Sequence, residues 1–360
     1  MIPILGCERV SNAGSAAPVS DVKSDEVVVF FPTVAYPVEG GTRWDCRIHG
    51  WVYEPRSERE MAMESMRSTF GLGDGEDPDK DDDEKAIRSE RARLFLVDNE
   101  RGKHVVVQLD GRSYSLEPTA ANGHCKGRLR LPAEEVARLR SAQGRPAPAL
   151  RFRAALAAGD GRVFEGVIHL LEPNGLSVIS DIDDTIKITD VHDRKATLRN
   201  TFLEPFHAVP GMADLYQKWA REPGTTFHYV SASPWQLFAP LEDFRRISGF
   251  PAGTYHLKPF RVKDESIRDF FDSPQTHKRA EIEDLLQSCP QRRFILVGDS
   301  GQEDPEIYGD IARRHPGRIE RILIRDVTKQ PRTDPRYDHA FRGLPESTWT
   351  IFREPSEVDR

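Results

Sequence analysis

The chain has 360 residues, 30% of them charged, and a net charge of −7. That length leaves room for two domains and a sizeable core, and the acidic balance argues against nucleic acid as the main partner. No run approaches the roughly 18 apolar residues that a membrane-crossing helix needs, so no transmembrane segment is expected. The four cysteines (Cys7, Cys46, Cys125, Cys289) form no CxxC pair and read as ordinary thiols of a reducing, cytoplasmic protein. The opening MIPILGC faintly resembles a lipoprotein cleavage box but lacks a basic leader and an apolar stretch of adequate length.

Residues 1–24 are small and polar, which predicts disorder. Strand patterning follows at 27–31 and 44–53, with Gly40-Gly41 as the turn between them. Residues 58–70 read as a short helix. The run 73–85 carries eight acids against two lysines, without the spacing of a Ca²⁺ loop, and reads as a solvated acidic loop. Further strand signals fall at 93–97, 103–108, 113–116, 127–131, 150–155 and 163–170, separated by turns such as Asp110-Gly111 and Asn122-Gly123. Many short strands with polar turns predict an accessory all-β, sandwich-like or barrel domain over 25–172. Pro173-Asn174-Gly175 marks its end.

From 175 to 352 the pattern changes to alternating strands and helices. Strand signals at 176–180, 226–230, 254–257, 294–297 and 319–324 alternate with helical ones at 212–220 and 277–288, the latter with Ile282, Leu285 and Leu286 on one face. This predicts an α/β fold, a doubly wound parallel sheet of Rossmann-like type with helices on both faces. The first strand runs straight into Asp181-Ile182-Asp183-Asp184-Thr185. Substrate sites of such sheets lie beyond the carboxyl ends of their strands, and Asp181 and Asp183, two apart, can reach one point there. Two carboxylates held that close call for a cation, and an all-oxygen set without His or Cys favours Mg²⁺. Asp181 is suited to attack phosphorus and Asp183 to move the proton, with Thr185 steadying the loop. An acidic surface turn is the competing reading of the motif alone.

Three further polar groups fall where strands end or helices start: Ser231, Lys278 and the pair Asp299/Asp304. Together they supply what phosphoryl transfer requires: a nucleophile, a hydroxyl and a cation for the phosphoryl oxygens, and acids for Mg²⁺. The segments ISDIDDTIKIT, FHYVSASPW and FILVGDSGQEDPEIY resemble the App1 family of phosphatidate phosphatases, within the haloacid-dehalogenase-like hydrolases. The stretch Arg47-Ile48-His49-Gly50-Trp51-Val52 resembles that family's accessory β-domain more loosely. The resemblance implies Asp181 as nucleophile and Mg²⁺ ligand. It implies Asp183 as acid/base, giving Mg²⁺ its backbone carbonyl, and Ser231 and Lys278 as phosphoryl ligands. Asp299 and Asp304 complete the metal set, Asp304 directly or through water. Asp183 favours a phosphatase over a dehalogenase, and Asp184 is left to brace the loop.

About 40 residues separate Thr185 from the next strand and about 45 separate Ser231 from Lys278, which leaves little for a lid. An open site suits a large substrate or one held at a membrane surface, and the resemblance implies phosphatidate as the expected substrate. The alternatives are soluble phosphomonoesters or phosphoproteins at the same site, and a membrane-binding scaffold. Two basic stretches are candidates for peripheral contact with anionic lipid: 186–206, with Lys187, His192, Arg194, Lys195 and Arg199, and 313–336.

Overall fold

Alternation of apolar and polar residues at period two gives the N-terminal half its strands. In β7 (His124–Pro132) the buried residues are Cys125, Gly127, Leu129 and Leu131, while Lys126 and Arg130 between them are exposed. The structure, a computed structural model, describes residues 18–55, 90–91, 93–142, 149–191, 193–259 and 274–358. The expected helix at 58–70 and the acidic loop at 73–85 lie outside these residues. Two compact units divide the chain: Met1–Arg59 with Leu96–Pro173, and Glu60–Phe95 with Asn174–Arg360.

In the first unit β1 (Val27–Phe31), β2 (Thr33–Val38), β3 (Arg43–Glu54), β4 (Asp98–Asn99), β5 (Val106–Leu109), β6 (Arg112–Ser115), β7, β8 (Ala149–Ala154) and β9 (Glu165–Leu170) join one mixed sheet. Its main path runs β1-β3-β2-β9-β8-β5-β6, and β4 and β7 add to β3. The twelve-residue β3 therefore has four partners. Only β2 with β9 is parallel. Helix α1 (Ala133–Ala142) follows β7 and buries Val136 and Leu139. Two expectations are corrected here. Residues 20 and 21 are ordered, since Ser20 and Asp21 hydrogen-bond to Ala155 and His104. Residues 93–97 are not a strand but the end of a helical turn and its exit. Phe95 instead stacks edge-on against Phe202 at 5.4 Å, so residues 90–95 belong with the second unit.

That unit is built on six parallel strands: β10 (Leu176–Ser180), β11 (Thr226–Pro234), β12 (Gly253–Lys258), β13 (Arg293–Asp299), β14 (Ile319–Arg325) and β15 (Trp349–Phe352). Their order is β12-β11-β10-β13-β14-β15, which is 3-2-1-4-5-6 by sequence, the doubly wound arrangement. β15 closes the sheet beyond the expected last strand. Between strands lie α2 (Arg194–Phe202), α3 (Met212–Ala220), α4 (Phe238–Ile247), α5 (Pro274–Ser288), α6 (Asp304–Arg314) and α7 (Pro335–Ala340). Strands covered on both sides are buried along their length, and all five residues of β10 are, its two serines, Ser177 and Ser180, hydrogen-bonded to Arg292 and Tyr216. The direction of winding reverses between β10 and β13, which is where such sheets open a ligand crevice at the carboxyl ends.

The opposite end of the sheet is fastened by Arg292, which is 1% exposed. Its guanidinium donates to Ser177 Oγ (2.9 Å), Thr226 Oγ1 (3.0 Å) and the carbonyls of Asn174, Leu176 and Gly224. Gly175 leaves the room, because a Cβ there would sit 2.6 Å from the Gly224 carbonyl and 2.9 Å from Arg292 Nη1. Each buried acceptor stranded by its loss costs about 1–3 kcal/mol. Arg292→Leu is therefore expected to lower unfolding free energy by about 3–5 kcal/mol, read from the urea midpoint at unchanged slope. A loss below about 1 kcal/mol would reject this bolt.

Candidate active site

The crevice at the β10/β13 switch point receives its side chains from four segments. Asp181 follows the last residue of β10, and its amide bonds to the Val297 carbonyl of β13 at 2.9 Å. Asp299 ends β13, Asp304 opens α6, and Lys278 lies in the first turns of α5. All four are at most 1% exposed. The Lys278 ammonium bonds to Asp181 Oδ1 at 3.0 Å and to Asp304 Oδ1 at 2.5 Å. One oxygen from each of Asp181, Asp299 and Asp304 falls within 4.8 Å of the others. Thr185 Oγ1 donates to the other Asp181 oxygen at 3.1 Å.

The charge in this crevice is lopsided. Three buried carboxylates face one ammonium, so burial and then the neighbouring Asp304 and Asp183 charges push Asp181 up to about 7, against the pull of Lys278. Asp299 is raised well above the usual carboxylate range by burial and by Asp304 and Asp181. Burial works against the Lys278 charge, but Asp181 and Asp304 outweigh it and hold that ammonium protonated. Asp299 Oδ1 accepts from the Gly301 amide at 2.5 Å, while Oδ2 is buried without a hydrogen-bond partner. An orphaned carboxylate oxygen within an all-oxygen, net-negative set is the environment a hard divalent cation satisfies. The residues fit Mg²⁺.

Asp183 goes elsewhere. Its Oδ2 accepts from Ser231 Oγ (3.0 Å) and Ser233 Oγ (2.9 Å), and its Oδ1 from Thr189 Oγ1 and Lys187 Nζ (2.8 Å each). Burial alone would raise this carboxyl, but the Lys187 charge and these donors hold it down at about 2. Its carboxylate is not part of the metal cluster among the described residues. The cradle depends on Asp184, whose left-handed φ of 54° turns the chain. Asp184 Oδ1 accepts from the amides of Thr189 and Asp190, and Oδ2 from that of Val191. Arg325, at the end of β14, fixes the Asp184 carbonyl at 2.7 Å. Folding 187–191 back in this way delivers Lys187 and Thr189 onto Asp183.

Thus the structure brings Asp181, Lys278, Asp299 and Asp304 into one cluster, with Thr185 against it and Asp183 joined to Ser231. Lys187, expected on a basic flap, is 1% exposed. It lies 4.7 Å from the centre of the Phe206 ring. Sequence reasoning missed Ser233, Thr189 and Arg325 and gave Asp184 no firm task. Ser233 alone carried a readable signal, since it is two residues from Ser231 and alternate strand residues share a face.

Close approach of Asp304 to β13 requires Gly298. A Cβ there would lie 2.2 Å from Asp304 Oδ2. Misplacement of about 1 Å in such a constellation costs about 100-fold. Gly298→Ala is therefore expected to fold but lose activity on that order, as measured by initial rates alongside circular dichroism. Wild-type rates would refute the need for the glycine.

Comparison with known proteins follows the same outline. Residues 176–326 match the family model described as phosphatidate phosphatase APP1, catalytic domain, a span that contains every candidate residue above. Phosphatidate phosphatase APP1 of Saccharomyces cerevisiae is 34% identical over 195 residues, covering 53% of this chain and 33% of that protein. An uncharacterized protein of Schizosaccharomyces pombe is 31% identical over 170 residues, covering 46% of this chain and 27% of its own. The chain spans at most about a third of the length of these relatives. Over residues 176–326 the chain is thus similar to the App1 catalytic domain.

Proposed function

We propose that the second unit is a phosphatidate phosphatase of haloacid-dehalogenase-like type, working through an aspartyl-phosphate on Asp181. The observation that carries this reading is the Lys278 ammonium shared by Asp181 and Asp304, with Asp183 bonded to Ser231 beside it. Lys278 holds Asp181 Oδ1 in place, and Thr185 holds Oδ2. Asp181 attacks phosphorus, the bond from phosphorus to the glycerol oxygen breaks, and Asp183 gives that oxygen its proton. A water then attacks the aspartyl-phosphate, Asp183 takes its proton, and inorganic phosphate leaves. Ser231 and Lys278 hold the phosphoryl oxygens, where preorganised donors contribute most. Asp181, Asp299 and Asp304 would hold Mg²⁺, which when bound would supply positive charge against those oxygens.

Asp183 must carry a proton to serve as the acid, yet its four donors favour the carboxylate. An anionic phosphoryl group arriving on Ser231 opposes the Lys187 charge beside Asp183, and a neighbouring like charge favours the protonated form. Lys187 and Thr189 therefore set where Asp183 waits. The family resemblance names phosphatidate, and a substrate panel tests it: phosphatidate in micelles against p-nitrophenyl phosphate and sugar phosphates, with and without Mg²⁺. Preference for sugar phosphates would overturn the lipid assignment.

Asp181→Asn should fold and show no turnover above background, and near-wild-type rates with Mg²⁺ present would reject the nucleophile. Thr189→Val should slow phosphatidate hydrolysis about 10–100-fold while sparing p-nitrophenyl phosphate, whose leaving group needs little acid help. Equal losses on both substrates would assign Thr189 to folding alone. A carboxyl held above its unfolded value of 3.8 is protonated in the native state where the unfolded one is not. The raised Asp181 thus makes metal-free protein lose stability as pH climbs from about 4 through about 7. Mg²⁺ should raise the melting temperature more at pH 8 than at pH 5, and an equal shift at both would count against this site.

A further inference from the structure

Most of the described cations of the two basic stretches are occupied within the fold, while Lys329 is exposed. Lys187 is buried on Asp183, and Arg199 faces Glu204 at 3.3 Å. Arg314 pairs with Asp310 and Glu283, and Arg336 with Glu306. Arg313, Arg318 and Arg325 donate to backbone carbonyls. Neither stretch offers a basic face built from these residues.

The N-terminal sheet does. Register places Arg130 opposite Asp45, Arg128 opposite Arg47, and Lys126 opposite His49. Alternate residues of a strand share a face. Trp44, Cys46, Ile48, Leu129 and Leu131 fill the core, so Arg43, Arg47, Lys126, Arg128 and Arg130 stand on the outer one. Asp45 is the one acid among them on these two strands, and it is 1% exposed. It is already shared by Arg128 at 3.3 Å and Arg130 at 3.5 Å, and it accepts from the Tyr36 hydroxyl at 3.1 Å. That hydroxyl in turn accepts from both Arg47 (2.9 Å) and Arg128 (3.2 Å). Guanidinium groups from two strands thus converge on a single phenol oxygen. Glu39, at the sheet's edge, adds only a 3.7 Å contact to Arg130. On a chain of net charge −7, five cations against the buried Asp45 and the exposed Glu39 leave a local excess of the opposite sign. Arg43, Lys126 and Arg130 are exposed.

We propose that this outer face, centred on Arg43, Arg47, Lys126, Arg128 and Arg130, docks on an anionic lipid surface. Charge complementarity selects the class of partner. Single-stranded nucleic acid is disfavoured because Tyr36 and Trp51, the neighbouring rings, are buried at 7% and 3% exposure and offer bases no platform for stacking. Docking by charge on a membrane needs no such platform. The proposal rests on the phosphatase reading for the choice of lipid: an enzyme of lipid phosphates works at a charged interface. No described helix is long and apolar enough to cross a membrane.

The test measures binding, not turnover. The full chain is sedimented with phosphatidylcholine vesicles, either pure or enriched in phosphatidylserine and free of phosphatidate. Binding is expected only to the anionic vesicles and should weaken as salt rises. Each neutralised cation should cost about fivefold in partitioning. The double variant Arg43→Gln/Lys126→Gln should lose about 25-fold while hydrolysing p-nitrophenyl phosphate like wild type. Arg43→Gln alone, at about fivefold, covers the case in which the double variant misfolds. Equal binding to neutral vesicles, no binding, undiminished binding by the variants, or binding to an oligonucleotide but not to vesicles would each overturn the proposal. Asp181→Asn should sediment like wild type, so failure of the catalytic reading and failure of this face are separately visible.

Discussion

Everything in the catalytic unit turns on how one ammonium group is shared among buried carboxylates. Lys278 lies between Asp181 and Asp304 with Asp299 beside them, and all four are almost wholly removed from water. Burying a charge is costly unless it is paired, and here negative charge outnumbers positive. The imbalance makes the cluster a poor stabiliser and a good receptacle for a cation. The fold supplies the stability elsewhere. β10 is buried end to end, and Arg292 ties β10 and β11 together at the opposite end of the sheet. Chemistry and fastening thus occupy the two ends of the same strands.

Around this cluster the motif after β10 performs two tasks in alternation. Asp181 and Thr185 face Lys278, while Asp183 turns toward Ser231, Ser233, Lys187 and Thr189. Asp184 faces neither. It folds the chain back on its own amides, which brings the holders of Asp183 to it. The acids at 181, 183 and 184 are close in sequence, yet each is met by a different kind of partner: a fixed cation, a ring of hydroxyls with a lysine, and a set of backbone amides. Their separate surroundings let Asp181 and Asp183 be pushed in opposite directions, one up to about 7 and one down to about 2.

Much of this was legible beforehand because the signals were local. Apolar runs ending in polar residues marked β10, β11 and β13 and placed Asp181 and Asp299 at strand ends, whereas Ser231, expected at the end of its strand, lies inside β11, which continues to Pro234. Lys278 was readable because helix periodicity set it on α5, and Asp304 because it sits in the motif that follows β13, although the helix it opens, α6, was not foreseen. Long-range encounters were not legible. Composition alone makes Lys187 look like a solvated cation, and nothing local tells that Asp183 will bury it. Arg325 reaches Asp184 across 141 positions, a separation no periodicity encodes. β15 escaped notice because only four residues pair with β14, and 93–97 looked like a strand because its apolar residues serve helix packing instead.

Phe206 joins the site to a distant part of the chain. Lys187 lies over its ring at 4.7 Å and Arg91 at 3.6 Å. Arg91 also donates to the carbonyls of Thr201 and Glu204. The residue that holds the Asp183 carboxylate therefore shares an aromatic neighbour with a residue 85 positions upstream of the family match, on the far side of the accessory sheet in sequence. The catalytic unit is discontinuous along the polypeptide. A fragment begun at the sheet boundary would contain every acid, hydroxyl and lysine of the crevice and still lack one wall of its support.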